Sequence, residues 1–393
     1  MTFGFEPDSP DQTVRIGLFS LFKPDTLYVQ VLPGDSAVLD AGSLAHIRTE
    51  GGDTIRIRVS GSQLSVVLVD SYGRVKSSAS ASEVQVAAGR SGVLDLSLPG
   101  RLNRQVRGSL KVIGESSGER RQLSIILSAE REGAVASVVA AEISGAREIE
   151  AIKALAVVVR TFMLSHAGRH KAQGFDFCDT THCQLYRGET DLSAELLTPL
   201  VANAVALSKG EFLSFNSRGI EGHYTAACGG ATLAPEVVWG GQVASGYPYK
   251  SVSCGWCRGS SHYRWTRRAP AQAVMAAIAL GAQRASSDAE ILVESDEPGA
   301  VARSVVIRDR HNSFRLTPDE FRRRVGQRLG WNRVLSPTFS VERRGNSFIF
   351  RGRGFGSQIG LCVAGALAQA KAGRTRDAIL SFYYPQAAVE RDL

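Results

Sequence analysis

Glu142 closes the apolar run Val135-Ala136-Ser137-Val138-Val139-Ala140-Ala141, and Glu150 opens a second one that continues through Ala151-Ile152-Lys153-Ala154-Leu155-Ala156-Val157-Val158-Val159-Arg160-Thr161-Phe162. A lone carboxylate between two buried segments is expected to hold its proton more tightly, because desolvation disfavours the charged form. A general acid needs that property near neutral pH. Glu150 and Lys153 are spaced to form an ordinary helical ion pair. Arg160 differs, because a cation embedded among Val157, Val158, Val159 and Phe162 needs a partner. Either it faces a substrate groove or it pairs with a structural acid.

Two further clusters carry donor atoms. His170, Cys178, His182 and Cys183 are compact enough for a zinc site with imidazole and thiolate ligands, although the spacing departs from finger patterns. Cys254-Gly255-Trp256-Cys257 is a CxxC that reads as a redox pair, half a zinc site or a small-loop disulfide. His223, Tyr224, Thr232 and Trp239 combine aromatic faces and hydroxyls beside Gly229-Gly230, a pairing suited to a sugar groove or, for the aromatics, to a core.

Four stretches, in order, resemble the SpoIID/LytB family of peptidoglycan-acting proteins. The first is Glu142 followed by the helix that opens at Glu150. The second is Asp179-Thr180-Thr181-His182-Cys183-Gln184-Leu185-Tyr186-Arg187-Gly188. The third is His223-Tyr224-Thr225-Ala226-Ala227-Cys228-Gly229-Gly230-Ala231-Thr232, with Glu236 and Trp239. The last is Gly352-Arg353-Gly354-Phe355-Gly356, then Gly365-Ala366, Gly373 and Tyr383-Tyr384-Pro385.

The resemblance puts the family's catalytic acid at Glu142 and implies a lytic transglycosylase. The acid protonates the glycosidic oxygen. As carboxylate it then takes a proton from the muramic acid 6-hydroxyl, which closes a 1,6-anhydro ring. One carboxylate thus suffices, unlike the paired scheme of ordinary glycosidases. Arg160, Gln184, Tyr186, His223, Tyr224, Gly229, Gly230 and Thr232 become candidate substrate-binding residues. No cofactor is required, but zinc at His170, Cys178 and Cys183 is implied, as some relatives carry one there. The alternative is a non-catalytic wall-binding protein or amidase modifier of the same family. A zinc hydrolase centred on the Cys/His cluster ranks last, because no HExxH-like ligand set accompanies it. Several positions depart from the family pattern. Ile143-Ser144-Gly145 lacks its usual Pro, Leu155 replaces a Gln, Ser357-Gln358 stands where His-Gly is usual, and Val363 replaces another Gln. These changes leave the fold intact and bear on activity or substrate choice.

At 393 residues the chain fits about two to three domains. Hydrophobic content of 44% with 40 Gly and 13 Pro is that of a globular protein. No apolar run is long enough for a membrane span. Met1 to Asp8 lacks a basic and an apolar export region. Either an export signal precedes this chain, which would reconcile that with a wall substrate, or the protein is not exported; on the first reading the expected place of action is extracytoplasmic, in periplasm or cell wall. A net charge of +8 suits an anionic polymer. No nucleic-acid motif is seen. The partners that the resemblance implies are peptidoglycan glycan strands and a second wall hydrolase. Six cysteines are too few for a disulfide scaffold at this length.

The elements that must position these residues read as α+β, with a β-rich N-terminal region (1–130) followed by a SpoIID-like mixed α/β catalytic region (131–393) carrying a glycan groove and a smaller inserted part around 266–350. Period-two alternation marks strands at 14–18, 54–59, 64–69 and 122–127. Ile149, Ile152, Leu155, Ala156, Val159, Phe162 and Met163 recur at helical spacing, with Ser144 as the expected N-cap. A helix is expected at 193–208, a turn at Asp296–Gly299 and a strand at 301–307. Thr317 should cap a basic helix whose first residue is Pro318. A hairpin should turn at Arg344-Gly345-Asn346, and the final helix should run from about 362 to 372 and stop at Gly373.

Overall fold

A computed structural model describes residues 12–117, 120–143, 145–191, 198–239, 246–279, 286, 288–295, 301–310 and 312–391. The expected Ser144 cap and the Asp296–Gly299 turn lie outside the described residues. The chain is mixed α and β and divides into two compact units, each discontinuous in sequence. Among the described residues, one comprises those of 12–147 and 163–210, and the other those of 148–162 and 211–391. They are called here the sandwich unit and the closing unit.

The sandwich unit opens with twelve strands in succession: β1 (Thr13–Leu18), β2 (Thr26–Val31), β3 (Ser36–Ala41), β4 (Leu44–Glu50), β5 (Thr54–Ser60), β6 (Gln63–Val69), β7 (Val75–Ala81), β8 (Glu83–Ala88), β9 (Val93–Leu98), β10 (Leu102–Arg107), β11 (Ser109–Ser117) and β12 (Arg120–Glu130). Helix α1 (Arg131–Glu142) follows directly. After α2 (Ile149–Ser165), two short strands return to this unit, β13 (Phe177–Cys178) and β14 (Thr190–Asp191), and then α3 (Pro199–Leu207) packs on α1. One sheet runs β13-β1-β12-β11-β8-β3-β4, the other β14-β10-β9-β2-β5-β6-β7. Leu27, Val29, Val31, Ile55, Ile57, Val66, Val84, Val86 and Val112 are all fully buried. They alternate with outward residues along their strands, which is why the two sheets close face to face over one apolar layer.

β13 joins this sheet through Asp176. Its carboxylate accepts from the Arg15 backbone N–H (2.9 Å), from Arg15 Nη2 (2.9 Å) and from the Gly168 N–H (3.1 Å). Burial pushes the carboxyl up, but these bonds outweigh it and hold the group below its ordinary 3.8. A depressed carboxylate stabilises the fold above the unfolded value and loses that contribution as pH falls through the folded one. Wild-type protein should therefore lose melting temperature as pH drops from about 5 to below 3, and Asp176→Asn should show a shallower loss in thermal melts across that window.

The closing unit begins with most of α2 and resumes at β15 (Glu211–Phe215), β16 (Arg218–Gly219) and β17 (Tyr224–Thr225). Then come α4 (Pro235–Trp239), β18 (Trp265–Pro270), α5 (Ala271–Ile278), β19 (Glu290–Glu294), β20 (Ser304–Arg308), β21 (Ser313–Leu316), α6 (Pro318–Leu329), β22 (Phe339–Arg344), β23 (Ser347–Gly352) and β24 (Leu361–Cys362). The chain ends in α7 (Val363–Lys371), α8 (Arg376–Tyr383) and β25 (Ala388–Arg391). A distinct apolar cluster forms between 265 and 350, where Trp265, Val274, Phe321, Phe339, Phe348 and Phe350 pack together. The Thr317 hydroxyl accepts from the Glu320 N–H at 3.1 Å, as its position before Pro318 predicts. The expected hairpin pairs Arg344 with Ser347 around Gly345. The expected terminal helix ends at Lys371, but it is not the last. α8 follows, capped by Thr375, whose hydroxyl accepts from the Ala378 N–H.

Candidate functional site

Glu142 is the last residue of α1 and is half-buried. The helix starts where Glu130 accepts from the Gly133 N–H at 2.7 Å, and Ala134 to Ala140 bury one continuous stretch. Ile143 ends it by donating its N–H to the Val139 carbonyl. The middle of α1 is tied to the Asp179–Gly188 stretch, since Ser137 Oγ donates to the Gly188 carbonyl at 2.7 Å. Gly188 has φ +79°, and a Cβ there would lie 2.1 Å from the Gln105 carbonyl oxygen, so no side chain fits. Gln184 and Tyr186 are buried in the same stretch, and burial pushes the Tyr186 phenol up. Asp179 anchors its start by accepting from the Phe19 N–H (2.7 Å), the Ser20 N–H (3.3 Å) and Arg104 Nη1 (2.7 Å). Sequence reading placed no role on Asp179. Its buried carboxylate holds the whole stretch to the sandwich.

The same segment brings the Cys/His cluster together. His170 Nε2 lies 3.3 Å from Cys183 Sγ, and His182 Nδ1 lies 3.6 Å from both Cys178 Sγ and Cys183 Sγ. One donor atom from each of the four residues falls within 4.8 Å of the others. The second nitrogen of His170, Nδ1, is 2.5 Å from Gln173 Oε1, which orients the ring with Nε2 toward the sulfurs. Hydrogen bonds from Cys183, His182 and Thr180 hold the Cys178 thiol far below the ordinary thiol range against its burial. The set is Cys2His2, the donor chemistry of a closed tetrahedral zinc site. His182 completes it beside the three expected ligands His170, Cys178 and Cys183.

The remaining candidates belong to the closing unit. His223 is buried, with its Nε2 3.0 Å from Glu221 Oε2. Its backbone N–H donates to the Tyr384 hydroxyl oxygen, and that hydroxyl donates to the His223 carbonyl. Trp239 and Tyr249 flank the imidazole at ring-centre distances of 5.1 and 5.9 Å. Trp239 is 41% exposed, so it is not a core aromatic. Tyr224 begins the two-residue β17, paired in parallel with Leu361 of β24. Thr232 is buried and knits a loop. Its hydroxyl accepts from the Val252 N–H at 2.9 Å and its carbonyl from Ser251 Oγ at 2.5 Å. Gly229 has φ +70°, and a Cβ there would lie 2.4 Å from the Gly354 backbone nitrogen, so the glycine pair lets the closing block approach its backbone.

Arg160 is fully buried, and its Nη1 donates to the Glu211 backbone carbonyl at 2.8 Å. Its neighbour Thr161 accepts from the Leu213 N–H at 2.9 Å, so this end of α2 is fastened to β15. Glu150, expected to make a plain ion pair with Lys153, does so and also accepts from the Arg376 N–H at the start of α8 at 2.7 Å. Glu142, Gln184, Tyr186 and the Cys/His cluster thus belong to the sandwich unit. Arg160, His223, Tyr224, Gly229, Gly230 and Thr232 belong to the closing unit.

A family profile described as stage II sporulation protein, SpoIID, matches residues 119–215. The stage II sporulation protein D of Bacillus subtilis (strain 168) is 30% identical over 261 residues, which cover 64% of this chain and 71% of that protein. The chain belongs to the SpoIID family. The stage II sporulation protein D of Bacillus amyloliquefaciens is 28% identical over the same shares. The amidase enhancer of Bacillus subtilis (strain 168) is 23% identical over 63% of this chain and 39% of that protein. The stretch matched to SpoIID contains Glu142, Arg160, the Cys/His cluster, Gln184 and Tyr186.

Gln358, one of the departures from the SpoIID pattern, has a physical role in this chain. Its side chain is buried, its Nε2 donates to the Cys228 carbonyl at 2.5 Å and its Oε1 accepts from Thr338 Oγ1 at 2.7 Å. The amide bridges the third and fourth family-like blocks. Among the described residues no helix is long and apolar enough to cross a membrane.

Proposed function

We propose that this SpoIID protein is a lytic transglycosylase that cleaves peptidoglycan glycan strands, with Glu142 as general acid and then base. The observation that carries this reading is the placement of Glu142 on the final turn of α1, within the family-matched stretch, on a helix pinned by Ser137 and Gly188. The protonated acid gives its proton to the glycosidic oxygen as the bond to C1 breaks. The carboxylate then accepts the proton of the C6 hydroxyl as O6 closes on C1, so no water is consumed. A glycan groove is part of this proposal, and so are an extracytoplasmic place of action and a wall substrate. Trp239, exposed beside His223, supplies an aromatic face of the kind that stacks on sugars. Incubation with purified sacculi and with denuded glycan strands, followed by mass analysis, should yield 1,6-anhydromuramic ends.

A second reading rests on the similarity to the amidase enhancer: a wall-binding protein that modifies an amidase without cutting glycan. Glycan binding without 1,6-anhydro products, combined with faster wall digestion by an added amidase, would favour it.

Zinc at His170, Cys178, His182 and Cys183 is proposed as a structural ion that fixes the segment between α2 and β14. It takes no part in the sugar chemistry. Purified protein should carry it, and Cys178→Ser should release about one equivalent by elemental analysis. Protons compete for thiolate and imidazole, so affinity should fall steeply as pH is lowered. A Cys178–Cys183 disulfide in metal-free protein would dispose of the idea.

A further inference from the structure

The closing unit gathers four cysteines that are far apart in sequence. Cys228 follows β17 and precedes Gly229-Gly230. Cys254 and Cys257 form the CxxC around a short 3-10 turn. Cys362 ends β24 and caps α7. Their exposures are 0, 0, 1 and 0%, and the four sulfurs all lie within 4.8 Å of one another. Cys228 Sγ and Cys257 Sγ are 3.5 Å apart. Three polar donors point at the sulfurs. The Cys228 N–H reaches Cys362 Sγ at 3.2 Å, the Gly365 N–H reaches the same sulfur at 3.3 Å, and the Tyr383 hydroxyl lies 3.3 Å from Cys254 Sγ. Gly365 is small for a reason, since a Cβ there would meet Tyr383 Oη at 2.1 Å, Cys254 Sγ at 3.1 Å and Cys362 Sγ at 3.3 Å.

We propose that Cys228, Cys254, Cys257 and Cys362 form a four-thiolate zinc site, separate from the Cys/His cluster. A tetrahedral ion with metal–sulfur bonds of about 2.3 Å sets its sulfurs about 3.8 Å apart, which matches this spacing. A multi-iron cluster needs its sulfurs more widely spread. The four thiols give up their protons on binding Zn²⁺, leaving a net charge of −2 that the two N–H groups and the Tyr383 hydroxyl offset. All four ligands come from protein and all are buried, so no position is open for water or substrate. The ion is therefore structural. It links Cys228, in the third family-like block, to Cys362, in the fourth, 134 positions away.

The test is zinc analysis of the full chain, purified with reductant, in three forms: wild type, His170→Ala/Cys178→Ser/Cys183→Ser, and Cys254→Ser/Cys257→Ser. The first-cluster variant should keep about one equivalent, and the CxxC variant should lose about one relative to wild type. A metal-free first-cluster variant overturns the proposal, and so does mass spectrometry that finds two disulfides among the four cysteines. Should the CxxC variant fail to fold, X-ray absorption on the first-cluster variant decides. Four sulfurs and no nitrogen around zinc support the site, and a mixed shell overturns it. The Cys/His proposal fails separately, if wild type carries no more zinc than the first-cluster variant and that zinc shows four sulfurs.

Discussion

Glu142→Gln is expected to lower glycan-strand cleavage about 10²–10⁴-fold while the protein stays folded. The amide keeps the size and planarity of the carboxyl but cannot protonate the leaving oxygen or take up the 6-hydroxyl proton. Both halves of the reaction fail together, so turnover should drop with little change in substrate binding. Folding should be spared because Glu142 is only half-buried and lies on the last turn of α1. The interior contacts of that helix are made by Ala134 to Ala140 and by Ser137 with Gly188. Product analysis by mass spectrometry, with a thermal melt on the same sample, checks both statements. Wild-type cleavage by the Gln variant would sink the assignment. An inactive wild type that binds glycan and speeds an amidase would move the protein to the second reading.

Arg160→Ala should destabilise the closing unit by about 3–5 kcal/mol, the sum of a lost interior hydrogen bond and a large cavity. The Arg160 side chain is fully buried, and its bond to the Glu211 carbonyl ties α2 to β15. Truncation leaves that interior bond unmade. For a unit of this size the melting temperature should fall by roughly 10 °C. Arg160→Lys should recover little, because an ammonium on a flexible stem cannot reproduce the planar donor fork. The placement makes stability the primary readout, with loss of cleavage following from loss of fold. A variant that melts like wild type yet has lost cleavage would restore a direct role at the substrate.

The helices were legible where periodicity and a capping residue agreed. Thr317-Pro318 marked the start of α6, and the spacing of Ile149 to Met163 marked α2. The sandwich strands were legible because alternate residues such as Ile55 and Ile57 face one apolar layer. α8 was missed although Thr375 and Asp377 supplied a start signal, because its eight residues run into the Tyr383-Tyr384-Pro385 motif, which reads as a loop. At the candidate site, the donor types were visible and their company was not. Cys254 and Cys257 announce each other by spacing, but nothing local says that Cys228 and Cys362 close on the same point. Arg160 shows the same limit, because the Glu211 backbone carbonyl that its guanidinium reaches lies 51 positions away and leaves no trace in composition.

The order in which the chain is made adds a constraint of its own. α2 is synthesised early, yet most of it belongs to the unit whose last strand is β25, where Glu211 pairs with Arg391. The described residues of the sandwich unit, all within 12–210, are available once residue 210 has left the ribosome. At that moment α2 lacks β15, and the Glu211 carbonyl that receives Arg160 has not been made. The closing unit cannot complete its three-stranded β16-β15-β25 sheet until Ala388 to Arg391 emerge, so α2 meets β15 early but waits for the rest of its unit until the end of synthesis. Shielding of that helix during translation is a requirement this topology places on the cell, and a chain stopped before Ala388 would release a formed sandwich beside an unfinished closing unit.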